Sequence, residues 1–417
     1  MIISSNVAAI IADDLTGAND TALQFHLHGA GTQILLSEDA ECLNLKGTQT
    51  WAISTESRNI TPLESYEKIK YATQFMMSKF NPDYFFKKID STVRGNIAVE
   101  VLGMLEVLGW DASIVIPAFP MEGRVTVGGY HLLKGVPIEC TEMARDPYSP
   151  IFESHLPTLF KSQVGKKWEH LIGSLELSTV MKGAGPILQN LNKLIEEGKK
   201  LIIIDAVSTT DIEQVLLAMD KSEYRILPAG TARVLSDLWF ADLKPHNVTQ
   251  TIPELPKLII SGSATEITAN QIRNLEQSDD FDENTLIVGL DLKTVLGGVQ
   301  DDLVQRVVNN LGQKNIVLIH TSDVVKEFDG FSDDSLEAEL TKDKLAYMIT
   351  DFLAELTRRV TEQKQLILIL IGGETSYKCC KAIGATQLQL IDEVAPAIAL
   401  SLDHNAQWIV TKSGNLG

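Results

Sequence analysis

Ala8-Ala9-Ile10-Ile11-Ala12-Asp13-Asp14-Leu15-Thr16-Gly17-Ala18-Asn19-Asp20 sets the fold class of this chain. The unbroken apolar run Ala8–Ala12 predicts a strand buried on both faces, and the two aspartates and Gly17 mark a turn into a helix over Asn19–Gly29. A parallel strand that runs through a glycine turn into a helix ends at the rim where α/β sheets bind ligands. One carboxylate there could take a proton from a substrate hydroxyl while turn N–H groups and the helix N-terminus hold an anion. Asp13 or Asp14 could equally cap the helix and do nothing more.

Outward from this stretch the pattern repeats. Gln33–Leu36, Trp51–Ser54, Tyr84–Ile89, Ser113–Ile116 and Leu201–Ala206 read as further strands. Helices are expected at Pro62–Phe80, opened by Thr61-Pro62 as cap and first helical residue, and at Asn96–Leu108. Val125–Ile138, with Gly128-Gly129, reads as a hairpin, followed by a polar loop through Asp146-Pro147-Tyr148-Ser149-Pro150. A stretch with three prolines and no apolar period, Asp242–Pro256, reads as a linker. Beyond it the alternation restarts, with strands at Leu258–Ile260, Leu286–Leu290, Ile316–His320 and Leu366–Ile371 and helices at Ile267–Gln277, Val299–Leu311 and Lys342–Lys364. The expected fold is α/β, in two domains (1–245 and 257–417), each a largely parallel sheet flanked by helices, with a cleft between them.

Composition narrows the function. The 417 residues are 44% apolar, and 55 acidic against 36 basic residues give a net charge of −19. That balance argues against DNA, RNA or anionic lipid as partners, so an anionic ligand must meet a local cluster of cations. No apolar run approaches the roughly 18 residues that span a bilayer, and Met1–Ala12 lacks the basic-then-apolar order of a signal sequence. A cytoplasmic protein is expected. Cys42, Cys140, Cys379 and Cys380 are too scattered for a disulfide framework and read as buried thiols. No zinc or EF-hand spacing occurs, so no built-in metal site is expected, although a nucleotide could carry in Mg²⁺. The acidic stretches Glu276–Glu283 and Asp323–Glu339 read as solvated loops.

Lys87-Lys88-Ile89-Asp90-Ser91-Thr92-Val93-Arg94-Gly95-Asn96 is dense in cations for so acidic a protein. A carboxylate calls for Arg and Lys, and hydroxyls call for Asp, Ser and Asn, so this composition suits a small polyhydroxy acid. Thr55-Glu56-Ser57-Arg58 and Pro117-Ala118-Phe119-Pro120-Met121-Glu122-Gly123-Arg124 follow two other strand ends, the second presenting Arg124 on a loop stiffened by proline. In the second half, Ser261-Gly262-Ser263-Ala264-Thr265, Gly372-Gly373-Glu374-Thr375-Ser376 and Lys412-Ser413-Gly414 follow strands and carry the small residues that let backbone amides approach phosphate oxygens. The P-loop and Rossmann fingerprints are absent, which disfavours a dehydrogenase. A sugar-acid sensor without catalysis is the main competing reading.

Taken together and in this order, these motifs resemble the four-carbon acid sugar kinase family, whose members phosphorylate threonate, erythronate or 3-oxotetronate with ATP. The resemblance implies a sugar-acid-binding first domain and a nucleotide-binding second domain. It implies substrate contacts at Asp14, Arg58, Lys88, Ile89, Asp90 and Ser91, joined by Arg94 and Arg124 from the matching motifs. It places nucleotide contacts at Ser261, Ser263, Gly373, Glu374, Thr375, Ser376 and Gly414, with ATP and Mg²⁺ as cofactors. Asp14 is the expected base, Arg58 and Lys88 the expected carboxylate clamp, and the linker the expected hinge. Leu416 departs from the family, which usually carries an aromatic residue there. Neither the stereochemistry of the acid nor a homo-oligomeric state is specified by these motifs.

Overall fold

The computed structural model describes residues 7–37, 47–146, 149–231, 251–263, 265–278, 285–313, 316–329, 340–414 and 416. Two compact units emerge, residues 1–32 with 46–246, and residues 33–45 with 247–417. Most of the expected linker, 242–250, lies outside the described residues, and 251–256 carries neither helix nor strand.

In chain order the strands up to residue 231 are β1 (Ala8–Ala12), β2 (Thr32–Leu35), β3 (Thr50–Ser54), β4 (Tyr84–Lys88), β5 (Ala112–Ile116), β6 (Arg124–Val127), β7 (Tyr130–Leu133), β8 (Val136–Pro137), β9 (Ile172–Leu175), β10 (Leu201–Ile204) and β11 (Ile226–Gly230), and all but β2 belong to the first unit. The main sheet of the first unit has the order β3-β1-β4-β11-β5-β10-β9, and every pairing in it is parallel. Such a sheet needs both faces covered, which is why β1, β3, β5 and β10 are buried from end to end. Each large aliphatic side chain so placed contributes roughly 1.5–3 kcal/mol.

Two helices packed against each other carry much of the cover. Pro62–Phe80 starts in a capping box, with Thr61 and Glu64 satisfying one another's backbone N–H groups, and it ends where Asn81 turns left-handed. Ile97–Leu108 crosses it so closely that a Cβ on Gly103 would stand 2.7 Å from Ile69 Cγ2. β6, β7 and β8 form a separate antiparallel sheet. Its first turn, Gly128-Gly129, has φ +59° and +77°, the left-handed pair that a two-residue hairpin demands.

The second unit contains β12 (Lys257–Ser261), β13 (Thr285–Gly289), β14 (Ile316–His320), β15 (Ile367–Ile371), β16 (Gln387–Ala395), β17 (Ile398–Asp403) and β18 (Trp408–Lys412). The order is β13-β14-β12-β15-β18-β17-β16-β2. β13-β14, β14-β12, β12-β15 and β15-β18 pair in parallel, whereas β18-β17, β17-β16 and β16-β2 are antiparallel.

Several elements differ from the sequence reading. The first helix starts at Leu15, not Asn19, because Asp14 caps it. β9, β11 and the β16-β17 hairpin were not expected. Gln33–Leu35 pairs with Gln387–Gln389 and belongs to the second unit. Within the acidic stretch 323–339, Val324–Asp329 is helical; residues 330–339, and 279–283 of the other acidic stretch, lie outside the described residues. Cys140 is exposed, contrary to the buried reading, while Cys379 and Cys380 are buried; Cys42 is outside the described residues. Among the described residues no helix is long and apolar enough to cross a membrane.

Candidate functional site

The carboxy-terminal ends of β1, β3 and β4 bring the motifs of the first unit together. Asp14 occupies the N-cap of the helix Leu15–Leu27. Its Oδ1 accepts from the Gly17 N–H at 2.8 Å, and its Oδ2 accepts from Thr16 Oγ1 at 2.7 Å. The capping role left open by the sequence is therefore real, and a second one accompanies it. Arg58, arriving from the end of β3, reaches Asp14 Oδ2 with Nη1 at 2.9 Å and Asp13 Oδ2 with Nε at 2.7 Å. Its Nη2 lies 3.6 Å from Asp90 Oδ1. One guanidinium thus holds three carboxylates from two strand ends.

Asp90 opens the turn after β4 and is the second hub. It accepts from Arg94 Nε at 3.0 Å and Nη2 at 2.9 Å, from the Thr92 N–H at 3.1 Å, and from the Thr92 hydroxyl. Arg94 also donates from Nη1 to Asp146 Oδ2 at 2.8 Å. Val93, between these donors, is buried with φ +56°, a left-handed conformation costly for a β-branched residue and held here by its neighbours' bonds to Asp90. Burial alone would raise the Asp90 carboxyl. Arg94, Arg58 and the hydrogen bonds outweigh it and hold that carboxyl well below the usual range. Asp13 is likewise held low, with burial opposed by Arg58, Lys87 and Lys88. Its Oδ1 is buried and accepts no hydrogen bond.

The two lysines of β4 part company, as alternation along a strand requires. Lys87 is fully buried and bonds Glu100 Oε2 at 2.7 Å. Glu100 in turn accepts from Ser57 Oγ at 2.6 Å and Ser65 Oγ at 2.7 Å. Lys88 Nζ donates to the Ile89 carbonyl at 2.7 Å and stands 3.3 Å from where a Gly17 Cβ would be, beside the Asp14 cap. A Cβ there would also stand 2.7 Å from Asp14 Oδ1, so a larger residue would have to displace the cap.

The hairpin adds a histidine to the site. His131 on β7 is fully buried. Its Nε2 is 2.9 Å from the Ser91 carbonyl and its Nδ1 is 3.0 Å from Thr126 Oγ1. A carbonyl can only accept, so Nε2 carries the proton and the neutral ring ties the hairpin to the Asp90 turn. Burial, reinforced by Arg124 and opposed by the Ser91 bond and Asp90, pushes its pKa down to about 4. The unfolded chain takes up this proton near pH 6.5 and the folded chain does not. Stability therefore falls as pH drops from 6.5 towards 4. Urea titrations at pH 7 and 4.5 should show a loss of about 2–3 kcal/mol from this group, and His131→Gln should flatten that interval. The depressed aspartates act lower: their contribution persists down to their ordinary range, near 3.8, and is lost only as pH falls below it.

In the second unit, β12, β15 and β18 lie side by side and their ends bring Ser261, Gly372–Ser376 and Lys412–Gly414 into one cluster. Thr265, cap of the helix Glu266–Glu276, donates to the Gly414 carbonyl at 2.7 Å, and Thr268 does so at 2.9 Å. A Cβ on Gly262 would collide with Thr375 Oγ1, and one on Gly414 with Ser263 Oγ. Gly372 has φ +109° and begins the helix Gly373–Ala382, whose first N–H groups have no intrahelical acceptor. The Ser261 hydroxyl is buried without a partner. Ser376 is turned inward, its Oγ donating to the Gly372 carbonyl at 2.7 Å. Small side chains, a helix N-terminus and the half-buried Lys412, whose pKa burial lowers, suit a phosphate chain.

Comparison with known proteins decides the family. A sugar-binding N-terminal domain model matches residues 8–238, and a nucleotide-binding C-terminal domain model matches 258–417. Similar full-length proteins include a D-erythronate kinase of Heliobacterium modesticaldum, 29% identical over 99% of this chain and 94% of its own. A D-threonate kinase of Salmonella typhimurium is 28% identical over 98% and 95%, and a 3-oxo-tetronate kinase of Haemophilus influenzae 24% over 98% and 96%. The chain belongs to the four-carbon acid sugar kinase family. Among solved structures, this family member shares its fold with a Haemophilus influenzae DUF1537 protein, with a TM-score of 0.70 at 22% identity over 98% and 97% of the two chains. A Salmonella typhimurium protein described as a tRNA synthase gives 0.76 at 19% identity over 98% and 96%.

For this family member, sequence reasoning missed Glu100, Thr126 and the latch at His131, and it quoted Ser57 within its motif without a partner. One signal was available: Glu100 is a lone acid in the apolar run Ile97-Ala98-Val99-Glu100-Val101-Leu102, and a buried carboxylate requires a partner.

Proposed function

We propose that the protein is an ATP-dependent kinase that phosphorylates the terminal hydroxyl of a four-carbon sugar acid of the threonate, erythronate or 3-oxotetronate class. The observation that carries this reading is the buried cluster of Asp13, Asp14, Arg58, Lys88, Asp90 and Arg94 at adjacent strand ends. It offers a polyhydroxy anion both carboxylate acceptors and cationic donors in a desolvated setting, and the relatives that match end to end are kinases of such acids.

Phosphoryl transfer needs an oriented hydroxyl, the γ-phosphorus in line with it, and neutralised charge. Asp14 accepts the proton of the terminal hydroxyl. Arg58 fixes the Asp14 carboxylate against its neighbours, and Asp90, Ser91 and the Ile89 backbone bind the remaining hydroxyls. In the second unit the amides of Gly373, Glu374 and Thr375 face the phosphates, with Ser261, Ser263 and Gly414 shaping the cradle. Among the described residues no group of three or more His, Cys, Asp or Glu is placed to hold a metal. Mg²⁺ carried in by the nucleotide would supply neutralisation of the phosphate charge.

An ATP-consumption assay with threonate, erythronate and 3-oxotetronate tests the reading. At least one acid should give turnover well above the rate without acceptor. Failure of all three would overturn it.

A further inference from the structure

The cations of the first unit are not equally committed. Lys87 is matched by Glu100, Arg94 by Asp90 and Asp146, and Arg58 by Asp13, Asp14 and Asp90. An incoming carboxylate would have to compete with three resident ones for Arg58. Arg124 differs. Among the described residues its closest acid is the half-exposed Glu122, at 4.0 Å, and its buried Nε has no hydrogen-bond partner among them.

Its backbone is tightly framed. Arg124 pairs with Leu133 across the hairpin, and it exchanges main-chain hydrogen bonds with Phe119 at 2.8 and 3.1 Å, just beyond the end of β5. The turn of that hairpin is pinned by Asp205, whose carboxylate accepts from the Gly128 and Gly129 N–H groups at 2.7 and 3.0 Å and from that of Leu177 at 3.0 Å. His131 on the next strand holds the Ser91 carbonyl, and Arg124 and Asp90 both act on that imidazole. Arg124 therefore belongs to the neighbourhood of the Asp90-Ser91 turn, and it is the guanidinium there with a buried donor to spare.

We infer that Arg124 binds the carboxylate of the substrate and sets the preference for acids over uncharged polyols of the same length. The inference deepens the sugar-acid kinase reading and rests on it. A planar guanidinium with free donors can meet a carboxylate at two points, and a rigid hairpin leaves little to reorganise on binding. Lys88, beside the Asp14 cap, is left for the end of the substrate that reacts. Arg58 becomes a positioning residue that keeps the aspartates in place.

Calorimetric titration of wild type and Arg124→Gln with threonate and with threonamide, its uncharged analogue, tests this without ATP. Wild type should prefer the acid. Arg124→Gln should weaken acid binding by about 100-fold and leave threonamide within about 3-fold, and Arg124→Lys should recover part of the difference. A wild type that shows no preference for the acid, a variant that keeps the preference, or equal losses for both ligands with melting temperature unchanged would overturn the assignment. Melting curves of both variants identify a loss that stems from unfolding, and Arg124→Lys then decides. Turnover is not needed for this comparison, so a chain that binds the acid through Arg124 but transfers no phosphate would refute the kinase reading alone.

Discussion

Asp14→Asn should lower kcat by about 10²–10⁴-fold, the range for loss of a general base, while the protein remains folded. Asparagine is as good an N-cap as aspartate, so the bond from Gly17 N survives through the remaining oxygen. What disappears is the second oxygen, which accepts from Thr16 Oγ1 and Arg58 Nη1; an amide N–H₂ in its place can accept no proton and confronts a guanidinium. Steady-state rates at saturating acid and ATP, taken well below the melting temperature, measure the effect. Near-normal turnover would remove Asp14 from the base role. Asp13 is the poorer candidate, because Arg58, Lys87 and Lys88 hold its carboxyl low and a weak base gains little from proximity.

Lys87→Met should destabilise the first unit by about 3–5 kcal/mol, the usual loss when one partner of a buried ion pair is removed. Both members are almost wholly shielded from water, at 0% and 1% side-chain exposure. Without Lys87, Glu100 keeps only the hydroxyls of Ser57 and Ser65, too little for a desolvated carboxylate. For a unit of this size the melting temperature should drop by about 6–20 °C. Lys87→Met with Glu100→Gln should recover much of the loss, since no charge is then stranded, and the double-mutant cycle should show strong coupling. Additive losses would mean that the pair is not a unit.

Which parts of this architecture could be read from residues alone follows from the range of the interactions. The Asp13-Asp14 turn, the capped helix at Pro62 and the glycine hairpin are local: chain chemistry over a few residues decides them, and they stand where the pattern puts them. β9 and β11 are short strands between helices, and their apolar runs are too brief to distinguish from a buried turn. The β16-β17 hairpin departs from a parallel rhythm that the rest of the second half obeys. At the site, the motifs name the participants but not their pairing. Nothing in Thr55-Glu56-Ser57-Arg58 says that Arg58 will be shared by three aspartates, or that Arg124 will be left with a buried donor. Those outcomes depend on which strands become neighbours.

The antiparallel partnership of Gln33–Leu35 with Gln387–Gln389 bears on how the molecule can be made and dissected. An expression product starting after residue 256 would contain the entire matched nucleotide-binding region yet lack the strand that closes one border of β16. Bare backbone N–H and C=O groups on such a border recruit other chains, so this half should prove sticky when produced alone. A peptide or fusion supplying residues 32–36 in trans offers the natural remedy. During synthesis the same dependence delays completion of that sheet, because a segment made among the first forty residues must wait for one made near the end.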